Sequence, residues 1–156
     1  MLVAGDISIK GTRAAVWSVV SDVEGWARII KGVKQIEVVA RPSQGVAGLR
    51  WKETRLLFDE PATVEKRVTE SKEGVFFTSR AEQDGFVFTT TLRLAEHGGS
   101  VVVTSAHRTD AQTIGARLRA LPLVFFKGVI RKALMEDLQD LKAAVEGTRA
   151  SGAAGS

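Results

Sequence analysis

Cysteine and tyrosine are both missing from the 156 residues. Without cysteine there is no disulfide framework, thiol chemistry, Cys-ligated zinc or iron–sulfur cluster. Without tyrosine, one common general acid is gone. Histidine occurs twice, at His97 and His107, too few for a multi-histidine metal site. Long apolar runs are lacking too. The longest, Ala120 to Phe126, has seven residues and includes Pro122, against the roughly 20 that a membrane span needs. The opening MLVAGDISIK has no basic region ahead of an apolar stretch, so it does not read as a signal peptide. Charge of one sign is in only slight excess: 22 basic against 18 acidic side chains, or +4. That alone does not call for nucleic acid. No Walker loop, dinucleotide fingerprint, nucleophile elbow or zinc spacing occurs, and no cofactor is implied.

What is present is the composition of one globular domain, 44% hydrophobic and 26% charged. The chain is expected to be soluble and cytoplasmic, with residues 1–147 forming the domain. The small, polar segment 148–156 reads as a flexible tail.

Leu2 to Ile9 reads as a strand. Thr12 can cap a short helix over Arg13 to Ser21, and Asp22 a second over Glu24 to Ile30. From Val33 the pattern becomes antiparallel, with turn signals every eight to twelve residues. The strands are expected at Val33 to Ala40, Leu49 to Phe58, Ala62 to Ser71, Val75 to Glu82, Phe86 to Ala95 and Ser100 to Arg108. Asp84-Gly85 is the strongest hairpin turn, and His97-Gly98-Gly99 precedes the last strand. Asp110 can cap a helical run in which Ile114, Leu118, Leu121 and Phe125 recur at helical spacing. Ile130, Leu134, Leu138, Leu141 and Val145 continue it one position out of phase. Pro122 predicts a kink there, or two helices meeting end to end. Seven antiparallel strands need a cover, and the long amphipathic helix supplies it.

Three stretches carry a family resemblance: Asp6 through GTRAAVWSVVSDVEGWARIIKGVKQIEVV, the strand GLRWKETRLLF, and the ending ALMEDLQDLKAAVEG. They resemble the START, polyketide-cyclase and birch-pollen-allergen superfamily over about Leu2 to Gly147. The resemblance implies an α+β helix-grip fold: a curved seven-stranded antiparallel sheet, two short helices, and a long C-terminal helix over a hydrophobic cavity. It also implies a small apolar ligand there. The superfamily includes lipid carriers, aromatase/cyclases, quinone-binding proteins and ribosome-interacting toxins. Its cyclases use polar cavity side chains, often Tyr, Arg, His or Ser, and this chain has no Tyr.

The candidate site residues follow from strand alternation. Arg50 and Lys52 suit the solvent side, so Trp51, Glu53 and Arg55 should face inward. Charges near an apolar cavity are costly unless paired or facing a ligand. Arg55 would then meet an anionic or carbonyl group with Glu53 orienting it, or the two form an idle ion pair, the commoner outcome. Phe77, Phe86, Phe88 and Leu92 share the inner face with Thr90 as a lone hydroxyl. They line a pocket or simply fill a core. Leu118, Leu121 and Phe125 complete the ligand-binding set from the helical side. The facing of His107 is not settled by Val101, Val102 and Val103. It is a candidate base at the cavity mouth, though a surface histidine is the commoner case. Finally, Arg117, Arg119, Lys127, Arg131 and Lys132 flank the apolar Leu121 to Phe126 with no acid among them. That suits transient contact with an anionic membrane, or else a solvated helix face.

The functional expectation is therefore a binding module for a small hydrophobic ligand such as a lipid, quinone or polyketide-like molecule, with no catalytic residue assigned. The alternatives are a cyclase/dehydratase in which Arg55 and Glu53 polarise a carbonyl and move a proton, or a ribosome or protein-interaction module. Nucleic acid is not expected.

Overall fold

The computed structural model describes residues 1–57 and 59–154, with the side chains at 121, 123, 124 and 148–154 left aside. Strand β1 (Leu2–Lys10) is followed by helix α1 (Arg13–Val20), a 3-10 turn (Val23–Gly25) and the short α2 (Trp26–Ile29). Six strands come next: β2 (Val33–Ala40), β3 (Arg50–Leu57), β4 (Glu60–Lys72), β5 (Phe76–Gln83), β6 (Phe86–His97) and β7 (Ser100–Ala111). The chain closes with α3 (Ile114–Ala120), a 3-10 segment (Leu121–Phe126) and α4 (Lys127–Ala154). All seven strands form one sheet in the order β1-β7-β6-β5-β4-β3-β2, every pair antiparallel.

Local chemistry explains the element ends. Thr12 Oγ1 accepts from Ala15 N at 3.1 Å and starts α1 as its sequence suggests. Asp84 and Gly85 both take positive φ, 52° and 81°, the requirement of the tight turn that joins β5 to β6. Two expected caps are not made. Asp22 gives no side-chain cap, and Val23–Gly25 winds as a 3-10 turn before a single turn of α-helix. Asp110 lies inside β7, opposite Val87, because pairing with β6 runs on to Ala111. Thr113 caps α3 instead, its Oγ1 accepting from Ala116 N at 3.0 Å. The helix α4 continues to Ala154, past the Gly147 at which composition suggests an end.

The core lies between the concave face of the sheet and the helices. Leu134, Leu138, Leu141 and Val145 of α4 are buried at the spacing read from the sequence, with Val3 and Ile9 of β1 among their neighbours in the core. Trp17 and Trp26 meet Phe77 at centroid distances of 6.0 and 6.3 Å, and Trp26 meets Trp51 edge-on at 6.2 Å. Side chains of α4 also reach the edge of β1. Glu146 accepts from Lys10 N at 3.0 Å, and Lys142 donates to the Ser8 carbonyl at 2.8 Å.

Candidate functional site

Pairing fixes which residues share the concave face. One cross-strand row runs Trp51, Lys66, Ala81, Phe88, Thr109. The next runs Val68, Ser79, Thr90, His107, Val3. The face divides in two along the strands. Toward α1, Phe77, Leu94, Val101, Val103 and Ile9 are sealed, none more than 3% exposed. Toward α3, Phe86, Phe88, Thr90, His107 and Lys66 keep accessible surface although they point into the concavity.

At that α3 end three rings lie nearly parallel. Phe86 stacks on Phe88 at 6.1 Å and 23°, and Phe88 on His107 at 6.1 Å and 18°. His107 is thus an inward residue and not a surface histidine. Its Nδ1 is 2.9 Å from Thr90 Oγ1. Burial lowers its pKa, and the Lys66, Arg55 and amino-terminal cations lower it further, to about 4. It is therefore neutral at pH 7 and only weakly basic. Thr90 is not a lone hydroxyl either, since Ser79, Ser105 and Thr109 are buried on the same face.

Beside the rings sits a four-membered ionic cluster. Glu53, only 2% exposed, accepts from Arg55 Nε at 2.7 Å and Lys66 Nζ at 2.8 Å on Oε2, and from Trp51 Nε1 at 3.3 Å on Oε1. Arg55 also holds Asp137 of α4, through Nη1 at 3.2 Å and Nη2 at 2.9 Å. Burial alone would raise the Glu53 pKa, but Lys66 and Arg55 outweigh it and hold the group at about 2. Glu53 is thus a fixed anion and cannot move a proton near neutrality. Asp137 is pushed upward by burial, with Arg55 opposing. Gly32 leaves room for this pairing, since a Cβ there would stand 3.0 Å from Arg55 Nη1.

Of the residues read from the sequence, Trp51, Glu53, Arg55, Phe86, Phe88 and Thr90 are brought to the concave face as expected. Phe77 is on that face but belongs to the tryptophan core. Leu118 and Phe125 do not join them: they are 66% and 88% exposed. For Phe125 the reason is the 3-10 winding of Leu121–Phe126, whose 3.0 residues per turn break the 3.6-residue register. Leu118 precedes it in α3, an α-helix that buries Ala116 and turns the Ile114 and Leu118 side outward. Leu121 falls among the side chains left aside. Lys66, His107 and Asp137 are the members that sequence reading did not place.

A second concavity, an open groove of about 700 Å³, lies at the α1 end between Gly11, Ala15, Gly98, Gly99 and Val145. Its lining holds no aromatic ring, and its two charged residues, Lys10 and Glu96, are both exposed. The chemistry is gathered at the other end.

A curved antiparallel sheet closed by a long C-terminal helix, with rings and paired charges on its concave face, defines a helix-grip protein. Residues 2–146 match the family described as polyketide cyclase / dehydrase and lipid transport, and the chain belongs to that family. The fold is shared with a START superfamily protein from Mycobacterium smegmatis, at 15% identity over 94% of this chain and 98% of that one, TM-score 0.78. A protein from Thermus thermophilus gives 17% identity over 95% and 99%, TM-score 0.77. The Zhui aromatase/cyclase from a Streptomyces species gives 16% over 94% and 93%, TM-score 0.73. Among curated proteins no sequence matches the chain. Among the described residues, no helix is long and apolar enough to cross a membrane.

Proposed function

We propose that the protein binds a small hydrophobic ligand on the concave face at its α3 end, with the ring row Phe86, Phe88 and His107 as one wall. One observation carries the reading: rings that point into the concavity retain accessible surface here, while the α1 end of the same face is sealed. A folded chain has no packing reason to leave inward aromatic surface uncovered, because each such ring forgoes about 25 cal/mol per Å² of burial. The family description, which includes lipid transport, agrees with it. Native mass spectrometry of the protein as purified from cells tests the idea directly, with organic extraction of what co-purifies. In calorimetry with 2-naphthalenemethanol, Phe88→Ala is expected to weaken binding about tenfold, the loss of one ring contact and its buried area. Affinity unchanged in Phe88→Ala would remove the ring row from the site.

Among the described residues, most of the large exposed apolar side chains lie at the α3 end. Ile114, Leu118, Phe125, Phe126 and Val129 are 79%, 66%, 88%, 41% and 57% exposed, and Leu56 and Leu57 lie at the same end of the sheet. Residues 111–135 hold Arg117, Arg119, Lys127, Arg131 and Lys132 and no acid. Apolar side chains ringed by cations suit an anionic bilayer, from which a lipophilic ligand would be loaded. Vesicles containing phosphatidylserine should bind the protein more strongly than neutral ones, by about 1 kcal/mol per basic residue near the surface. Reversing Lys127, Arg131 and Lys132 to glutamate should abolish the difference. Equal binding to both vesicle types would leave the basic run as a solvated helix face.

A second reading, a cyclase/dehydratase, is favoured by the inward, neutral His107 within the field of Arg55 and Lys66. Here His107, not Glu53, would be the neutral proton acceptor, a base weakened by the same cations that would polarise the carbonyl. A poly-β-keto thioester that binds and is recovered with its mass unchanged supports carriage. Loss of one water, as an enolate carbon adds to a second ketone of the same chain and the resulting hydroxyl leaves, supports catalysis if it is abolished in His107→Ala.

A further inference from the structure

The two cations of the cluster are not equivalent. Arg55 is committed on three nitrogens, with Nε on Glu53 and Nη1 and Nη2 on Asp137, and its bidentate pair faces α4. Lys66 makes one bond, to Glu53 Oε2, out of three N–H donors. Its side chain is 25% exposed, and it stands on the concave face directly across β5 from Phe88. The intervening β5 positions are Ala81 and Ser79, the smallest side chains of the two rows; both are buried, so the accessible surface around them belongs to Lys66, Phe88, Thr90 and His107. Two strand spacings, about 9.6 Å, separate β4 from β6, a span that a fused aromatic ring with one carboxylate fills. The cluster as a whole is balanced, two cations against two anions, so what Lys66 offers a ligand is the local charge of its free donors.

We infer that Lys66 anchors the anionic group of the ligand, and that the ligand is a planar aromatic carboxylic acid lying against the accessible surface of Phe88, Thr90 and His107. This rests on the ring row being the binding wall and adds to it the charge of the ligand and the residue that reads it. The free ammonium donors meet the carboxylate, as a charge-assisted hydrogen bond requires.

Calorimetry on the full chain at pH 7, comparing 2-naphthoic acid with 2-naphthalenemethanol, tests the assignment. The acid should bind at least about tenfold more tightly, the scale of one charged hydrogen bond, and the ratio should shrink as salt is raised. In Lys66→Met combined with Glu53→Gln, which keeps the cluster's charge balanced, the ratio should collapse to about one. Lys66→Arg, which keeps the charge, should restore it. Equal affinities in the unaltered protein overturn the anchor while leaving the hydrophobic site standing, and so does a preference that survives loss of Lys66. Binding of neither compound overturns the anchor together with the reading beneath it. If the double variant does not fold, the Lys66 side-chain nitrogen shift in the unaltered protein decides the matter: a change on adding 2-naphthoic acid and none with the alcohol is expected, and no change with the acid overturns the anchor.

Discussion

Arg55→Leu is expected to lower the unfolding free energy by about 3 kcal/mol, the scale on which a buried ion pair loses one partner. The reason lies in what remains. Glu53 is nearly inaccessible and would keep only Lys66 and the Trp51 indole, while Asp137 on α4 would face the sheet without a cation. At a domain of this size the change corresponds to a fall in Tm of roughly 6–12 °C. Glu53→Gln should cost less, because the amide oxygen can still accept from Arg55 or Lys66. Replacing Glu53 and Arg55 together by apolar residues is not the neutral swap that a two-membered pair would allow, since Lys66 and Asp137 are left behind. Urea unfolding of the three variants orders them: Arg55→Leu no less stable than Glu53→Gln would show that the cluster does not bind α4 to the sheet.

The second large effect is a dependence of stability on pH. Unfolded, His107 titrates at its ordinary 6.5, and in the folded protein burial and the Lys66 and Arg55 cations lower it to about 4. Between those values the unfolded chain holds the extra proton, so acidification favours unfolding. The stability is fully present above pH 6.5 and falls as the pH drops toward 4, by on the order of 2–3 kcal/mol. Glu53 acts in the next window down. Its pKa falls from 4.5 to about 2 on folding, so its contribution is present above 4.5 and lost as the pH approaches 2. In His107→Gln the slope between pH 6.5 and 4.5 should largely vanish while the more acidic one stays. The urea midpoint measured at half-unit steps reads both, and an unaltered slope in the variant would show that His107 is already solvated in the folded state.

Much of this arrangement is legible in the sequence, and its gaps have physical causes. The strand boundaries follow from turn residues that only certain backbones accept, such as Asp84-Gly85. The facing of His107 could have been read from the same source. A two-residue Gly98-Gly99 turn pairs His97 with Ser100, and counting back along β6 sets Thr90 opposite His107. The run of valines obscured that because it carries no alternation of its own. Lys66 was also signalled: Ala62, Val64 and Val68 alternate inward, and position 66 is the one they skip. A lysine in an apolar series reads as an interruption until its partner is known, and Glu53 lies one strand away. The pairing of Arg55 with Asp137 joins residues 82 apart and had no local signal. Helical periodicity failed in two places: at Leu121–Phe126, where the helix is not α, and in α3, which buries Ala116 and leaves the apolar Ile114 and Leu118 outside.

If an apolar ligand enters at the α3 end, amide chemical shifts during titration with 2-naphthalenemethanol will show where it lies. The largest changes should fall on Lys66, Ala81, Phe86, Phe88, Thr90 and His107, which lie on adjacent strands of the concave face. Changes confined to Lys10, Gly11, Gly98 and Gly99, the groove at the opposite end, would contradict the account.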